Sequence, residues 1–183
     1  MWKGSVISLH IATAAGQPMI SITEAHAVPG RGIEGDRYYL GTGHFSEHHG
    51  PSYEITLIEL ETILALREEY KELASFSPGE ARRNIVTRSV PLNHLVRREF
   101  RVGEVYLRGI RLCEPCLHIV ELTHHSVLTG LIHRGGLRAQ ILTEGIIRIG
   151  DEITEVFPAD TSADLIERTC SEESLQGGIV HGS

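Results

Sequence analysis

The stretch VGEVYLRGIRL, residues 102–112, is rich in Val, Ile, Leu and Tyr and is interrupted by glycine, which is typical of a β-strand. Similar short runs recur along the chain. We therefore expect further strands at residues 4–11, 19–28, 54–58, 83–88, 116–122, 137–143 and 146–156. Many short strands separated by Gly, Pro or Asn favour an all-β barrel or sandwich over repeating βαβ units.

Two segments depart from this strand pattern. Residues 57–74 place apolar side chains near one face and Glu and Lys opposite, which predicts an amphipathic helix. Residues 123–133 predict a shorter helix that ends at Gly135 and Gly136. Gly145 marks a tight turn between two β runs, so we expect residues 135–153 to form a hairpin that Gly150 and Asp151 close.

Composition excludes several classes of protein. The chain has 183 residues with 41% hydrophobic and 22% charged residues, which is ordinary globular usage and excludes a largely disordered or coiled-coil chain. No apolar run reaches the ~20 residues that span a bilayer, and the N-terminus does not resemble a signal peptide. Three cysteines without a signal peptide favour free thiols in a reducing compartment. We therefore expect a cytoplasmic protein without membrane segments.

Charge is unevenly distributed along the chain. Residues 81–112 contain eight arginines and only two acids, so a small anion is a candidate ligand of this region. The stretch is short and aromatic residues are few, which argues against nucleic acid as a partner. Residues 158–183 contain five acids and one arginine. We expect residues 1–157 to form the domain and residues 158–183 to form a loosely packed acidic tail.

The stretch GRGIEGDRY, residues 30–38, is the first candidate site. Its glycines, of which Gly35 is the last, permit a tight turn whose N–H groups converge on an anion, and Asp36 and Arg37 follow directly. The alternative interpretation is a Gly-rich turn between strands in which Asp36 binds its own backbone.

The stretch GEARRNIVT, residues 79–87, is the second candidate site. Alternate residues of a strand share one face, so Arg82 and Asn84 are expected to present a guanidinium and an amide to the same ligand. In the alternative interpretation the arginines are solvated and Asn84 caps a turn.

The stretch RLCEPCLHI, residues 111–119, contains two cysteines. The spacing Cys113-x-x-Cys116 resembles a redox pair, but the following LHIVEL predicts a strand rather than the helix such a pair precedes, which argues against redox function. A zinc site that uses both cysteines, His118 and either His124 or His125 is a weaker alternative. A cysteine directly after a proline is also well placed to present one thiolate at the mouth of a pocket.

Taken in order, these stretches resemble the MOSC domain family, named for the C-terminal domain of molybdenum-cofactor sulfurase. The matching pieces are SITEAHAVPGRGIEGDRYY, ARRNIVT, LNHLVRREFRVGEVYLRGIRLCEPC and GLRAQILTEGIIRIGDEI. We take the resemblance to cover about residues 4–156. The resemblance implies a compact, mostly antiparallel β-barrel with a few peripheral helices. It also implies a stand-alone, bacterial-type member of the family.

The resemblance further implies a function and its residues. Cys116 is expected to be the reactive thiol, either as a ligand of molybdenum or as a sulfur carrier, and Arg82 and Asn84 are expected to hold a molybdopterin-type cofactor, together with Gly35, Asp36 and Arg37. The implied activity is reduction of N-hydroxylated small molecules or sulfur delivery to a molybdenum centre, with a separate electron or sulfur donor protein. Pyridoxal phosphate is not expected. The alternative is a module that binds the cofactor or another anion without turnover.

Overall fold

The structure is a computed structural model that describes residues 2–44, 46–47 and 50–156. The acidic tail expected at residues 158–183 lies outside the described residues. No helix among the described residues is long and apolar enough to cross a membrane.

The described chain contains eleven strands and three α-helices. The strands are β1 (Lys3–Ile11), β2 (Ile20–Ile22), β3 (Glu24–Val28), β4 (Gly32–Ile33), β5 (Ile55–Glu59), β6 (Ile85–Arg88), β7 (Glu99–Val102), β8 (Val105–Leu112), β9 (Leu137–Ile141), β10 (Gly145–Arg148) and β11 (Glu152–Glu155). The helices are α1 (Leu60–Glu69), α2 (Leu117–Leu122) and α3 (His125–Gly130). Single 3-10 turns occur at Pro51–Tyr53, Lys71–Leu73, Pro78–Ala81 and Leu92–Leu95.

Seven strands close into a barrel in the order β11-β7-β8-β9-β5-β6-β1, because β11 also pairs with β1. All pairings in this ring are antiparallel except the parallel pair β5–β6. A small second sheet has the order β10-β3-β4. The predicted mostly antiparallel β-barrel with a few peripheral helices is therefore confirmed.

Two apolar clusters form the core. One fills the barrel and includes Phe100, Leu107 and Leu137, each with no exposed surface. The other lies outside the barrel wall and joins α1, α2 and α3 through Ile63, Ile119 and other buried side chains. Through Ile119, the second cluster holds α2, which directly follows Cys116, against the barrel.

Two glycines let backbone segments approach each other inside the barrel wall. A Cβ atom on Gly109 would lie 2.0 Å from the carbonyl oxygen of Leu95, and one on Gly136 would lie 1.9 Å from that of Leu57. Gly136 also has a φ of 98°, a conformation that other residues rarely adopt. A side chain at Gly109 would push β8 away from Leu95, and one at Gly136 would push the start of β9 away from β5.

Two predicted elements are wrong. Residues 116–122 were expected to form a strand, but Leu117–Leu122 is helix α2, because burial of Ile119 in the second cluster favours a helix. A six-residue apolar run does not distinguish strand from helix by its own pattern. The hairpin expected at residues 135–153 is also wrong, since β9 pairs with β5 and β8 whereas β10 pairs with β3.

Two other segments differ in their bounds. The helix expected at residues 57–74 begins only at Leu60, because Ile55–Glu59 is strand β5. A strand was also missed before the turn at Gly103, whose φ is 59°. This turn separates β7 from β8, and the two strands pair with each other.

Glu54 ties the start of β5 to two other segments. Its Oε2 accepts hydrogen bonds from the backbone N–H groups of Gly30, at 3.1 Å, and Ile141, at 2.9 Å. Burial raises the pKa of Glu54, and the two N–H donors offset part of this effect.

We expect Glu54→Gln to change how stability depends on pH. Because the pKa of Glu54 is higher in the folded protein than in the unfolded chain, its contribution to stability is full below the unfolded pKa and is lost as the pH rises through the folded pKa. The free energy of unfolding of the wild type, relative to that of Glu54→Gln, should therefore increase as the pH falls from neutral. Urea unfolding of both proteins at several pH values measures this difference. A difference that is constant, or that grows with rising pH, would contradict the prediction.

Candidate functional site

A cavity opens beside the loop that joins β8 to α2. It is small, with a volume of about 70 Å³. Its wall includes both Cys113 and Cys116, one carboxylate from Glu114, and four arginines, which are Arg37, Arg82, Arg83 and Arg138. The cavity wall is therefore strongly positive and contains thiols.

Cys116 is exposed and directly precedes α2, whereas Cys113 is buried with 2% of its surface exposed. Both cysteines are free. The strand expected after Cys116, which argued against a redox pair, is wrong, since a helix follows this cysteine. The different burial of the two thiols nevertheless gives them different access to ligands, and Cys116 is the one that solvent reaches.

Arg83 forms the base of the cavity. Its guanidinium is buried and donates hydrogen bonds to the backbone carbonyls of Gly135, Ala81 and Cys113, at 2.8, 2.9 and 3.0 Å. Among the described residues it has no carboxylate partner. Arg83 therefore both fixes the loop that bears the cysteines and places an uncompensated positive charge beneath it.

Arg82 lies in a turn and not in a strand. Its backbone is left-handed, with φ 58° and ψ 33°, and β6 begins only at Ile85. Its Nη1 donates to the carbonyl of Gln17 at 2.8 Å. Burial lowers the pKa of Arg82, and the charge of Arg37 lowers it further. An anion in the cavity would relieve this repulsion between neighbouring guanidinium groups.

The expected shared face of Arg82 and Asn84 is wrong, because the strand does not include Arg82. Asn84 is buried, and its Oδ1 accepts from the backbone N–H and the hydroxyl of Thr56 at 3.1 and 2.8 Å. Its Nδ2 donates to the carbonyl of His10 at 3.2 Å and to Oδ2 of Asp36 at 3.4 Å. Asn84 thus joins segments of the fold beside the cavity and does not line it.

Asp36 also lies behind the cavity wall. Its Oδ2 accepts from the backbone N–H of Ala12 at 3.1 Å and from Nη1 of Arg37 at 3.2 Å, and its Oδ1 accepts from the N–H of Tyr38. These contacts agree with the alternative interpretation of residues 30–38, in which the stretch is a glycine-rich turn and Asp36 binds backbone N–H groups. Asp36 orients Arg37, which does line the cavity.

Aromatic rings accompany the arginines of the cavity. The Arg37 guanidinium lies 5.0 Å from the centre of the Tyr38 ring, and that of Arg138 lies 5.2 Å from the Tyr53 ring. Burial raises the pKa of Tyr38, an effect that the charge of Arg37 partly offsets. The rings hold the guanidinium groups in place without neutralising their charge.

Two histidines lie at the same cavity. The rings of His44 and His118 are stacked, with centres 4.3 Å apart, and Nδ1 of His118 lies 3.2 Å from Oε2 of Glu121. His124, a suggested zinc ligand, instead accepts a hydrogen bond from the N–H of Ser126. No group of three or more His, Cys, Asp or Glu in the described part of the chain is arranged to hold a metal ion.

Three of the six predicted site residues line the cavity, and three do not. Cys116, Arg82 and Arg37 line it, whereas Gly35, Asp36 and Asn84 lie outside its wall. The cavity residues Arg83, Arg138 and His44 were not identified from the sequence. Arg83 directly follows Arg82 in the second candidate stretch, so an alignment of that strand shifted by one residue would have selected Arg83 instead. For the other two no sequence signal was evident.

Comparison with known proteins agrees with this architecture. The fold is similar to YuaD from Bacillus subtilis, with a TM-score of 0.69, 16% identity, and coverage of 84% of this chain and 97% of that one. It is also similar to YiiM from Escherichia coli, with a TM-score of 0.61, 17% identity, and coverage of 99% and 96%. No curated protein matched the sequence. The family model described as MOSC domain matches residues 45–154, which is more than half of the chain. The chain therefore belongs to the MOSC domain family.

Proposed function

We propose that the cavity binds a molybdopterin-type cofactor through Cys116 and serves the reduction of N-hydroxylated small molecules. One observation carries this proposal: an exposed thiol opens onto the same cavity as four arginines. Membership in the MOSC family supports the choice of cofactor. We do not propose pyridoxal phosphate as a cofactor.

The side chains of the cavity wall suit such a cofactor in their chemistry. A thiolate is a soft ligand of the kind that molybdenum accepts, and arginine matches the planar oxygen arrangement of a phosphate. Arg82 and Arg138 would hold the phosphate and Cys116 the metal, whereas Asn84, Asp36 and Gly35 would act by keeping Arg37 and the neighbouring backbone in position.

The protein residues contribute binding and orientation to the reaction. In the reduction the N–O bond is broken, two electrons and two protons are consumed, and an amine and water are formed. The bound cofactor would supply the two-electron and oxygen-atom chemistry. Arg83 ties the Cys113 end of the cysteine loop to Ala81 and Gly135 through its three carbonyl contacts, which would keep Cys116 on the cavity wall. A separate donor protein in the cytoplasm would supply the electrons.

Amine formation tests the proposed reductase function. Protein purified from a host that makes the cofactor should convert benzamidoxime to benzamidine with reduced methyl viologen as electron donor, and Cys116→Ser from the same host should not. The exposed Arg88, which does not line the cavity, provides Arg88→Ala as a matched control that should keep the activity. Wild-type protein that holds molybdenum but leaves benzamidoxime unchanged would contradict the reductase function.

Exposure of Cys116 favours a second candidate, a sulfur carrier to a molybdenum centre. A carrier must offer its sulfur to another protein, and this thiol is at the surface end of the cavity. After incubation with a cysteine desulfurase and cysteine, mass spectrometry of a carrier should show one additional sulfur on the peptide containing Cys116. Absence of the persulfide, together with bound molybdenum and no turnover, would instead identify a module that binds the cofactor without catalysis.

A further inference from the structure

A second cavity is next to the cysteine cavity and shares the side chain of Tyr38 with it. Its volume is about 310 Å³, and Tyr38 lines both cavities. Two more tyrosines, Tyr39 and Tyr53, line the second cavity, and Leu40 lies on its wall with half of its surface exposed. Large aromatic and apolar side chains gathered around a concave surface are typical of sites for organic ligands.

The wall of the second cavity also contains a carboxylate with one unpaired oxygen. Glu54 is 8% exposed, and both of its hydrogen bonds, from the N–H groups of Gly30 and Ile141, end on Oε2. No hydrogen bond to Oε1 is made by the residues that the structure describes. Since no fully buried polar side-chain atom in that part of the protein lacks a partner, Oε1 is open to the cavity that Glu54 lines.

The tyrosine rings and a guanidinium form an aromatic surface on the wall of the second cavity. The rings of Tyr38 and Tyr53 have centres 6.2 Å apart and are tilted by 41°. The Arg31 guanidinium lies 4.0 Å from the centre of the Tyr39 ring and so already covers one face of that ring. An aromatic ligand can contact the ring edges and remaining faces while an N–H group reaches Oε1 of Glu54, because a carboxylate oxygen only accepts hydrogen bonds.

From these features we propose that the second cavity is a binding site for a planar aromatic ligand that carries an amino group. The tyrosines and Leu40 contact the ring system, and Oε1 of Glu54 accepts a hydrogen bond from the amino group. Oε2 cannot share this role, because two backbone N–H groups already occupy it. The ligand is therefore held by one directed polar contact and by ring packing. This site does not depend on the molybdenum cofactor.

Binding of two matched probes tests the proposal. In protein purified without cofactor, 5-aminoindole should bind at least about tenfold more tightly than indole, which lacks the amino group, as measured by NMR titration. Glu54→Gln keeps the side-chain volume but places an NH₂ donor where Oε1 stood. In this variant 5-aminoindole should lose its about tenfold advantage, whereas the affinity for indole should be unchanged.

Three further variants or modifications distinguish binding in the second cavity from binding elsewhere on the protein. Tyr39→Ala should weaken binding of both probes, since it removes part of the ring wall, and Arg88→Ala should weaken neither. Alkylation of Cys116 should leave both affinities unchanged, because the thiol lines the other cavity. A melting temperature of Glu54→Gln close to that of the wild type shows that the variant is folded. Equal affinity of the two probes for the wild type, or loss of binding on alkylation of Cys116, would overturn the proposal.

Discussion

Cys116→Ser removes the fast-reacting thiol of the protein. In a Cys170→Ser background, used because Cys170 lies outside the described residues, we expect one thiol to react rapidly with iodoacetamide. This thiol is Cys116, since it is exposed whereas Cys113 is 2% exposed. Cys113 reacts only when the structure opens locally, so the alkylation rate of Cys116→Ser should be lower by about two orders of magnitude.

The companion variant Cys113→Ser serves as the control for this measurement. It removes a buried thiol and should leave the fast phase of alkylation in place. If the fast phase survives in Cys116→Ser and disappears in Cys113→Ser, the assignment of the reactive thiol is wrong. The proposed cofactor ligand would then have to be reconsidered as well.

Asn84→Ala should lower the free energy of unfolding by about 3 kcal/mol or more. The substitution removes the bonds of Asn84 to Thr56, His10 and Asp36, and it leaves a buried hydroxyl and a buried carboxylate with fewer partners. Unsatisfied buried polar groups each cost about 1–3 kcal/mol, which is the reason for a loss of this size. Urea denaturation of the purified variant measures it.

Asn93→Ala is a matched control for the same experiment. Asn93 is exposed and donates one hydrogen bond, to the carbonyl of His133 at 2.9 Å. Its loss should change the free energy of unfolding by no more than about 0.5 kcal/mol. Equal effects of the two substitutions would show that Asn84 does not connect the segments behind the cavity wall.

The barrel could be predicted because its strands are short, rich in β-branched residues and separated by turn residues. Strand β8, from Val105 to Leu112, shows the pattern clearly. Pairing was harder to predict, because it depends on contacts between distant segments. Gly145 was expected in a turn, but it is the first residue of β10, and this strand pairs with β3 and not with β9. The identity of α2 depended in the same way on the burial of Ile119 among side chains from elsewhere in the sequence.

The candidate site was only partly predictable for a similar reason. The Pro-Cys pair identified Cys116 from local sequence. Arg82 was also identified, but for the wrong reason, because it was expected in a strand and lies in a left-handed turn. Arg138 reaches the cavity from β9 and His44 from a loop before β5. Nothing near these two residues in the sequence indicates a ligand, because the fold alone brings them to Cys116.

Molybdenum and pterin content per chain, measured on protein from a host that makes the cofactor, tests the central claim most directly. If Cys116 ligates the metal, wild type and Cys113→Ser should each retain about one molybdenum and one pterin per chain after gel filtration, and Cys116→Ser should retain less than about a tenth of that amount. Equal content in wild type and Cys116→Ser, or no molybdenum in any of the three folded proteins, would contradict cofactor binding through Cys116.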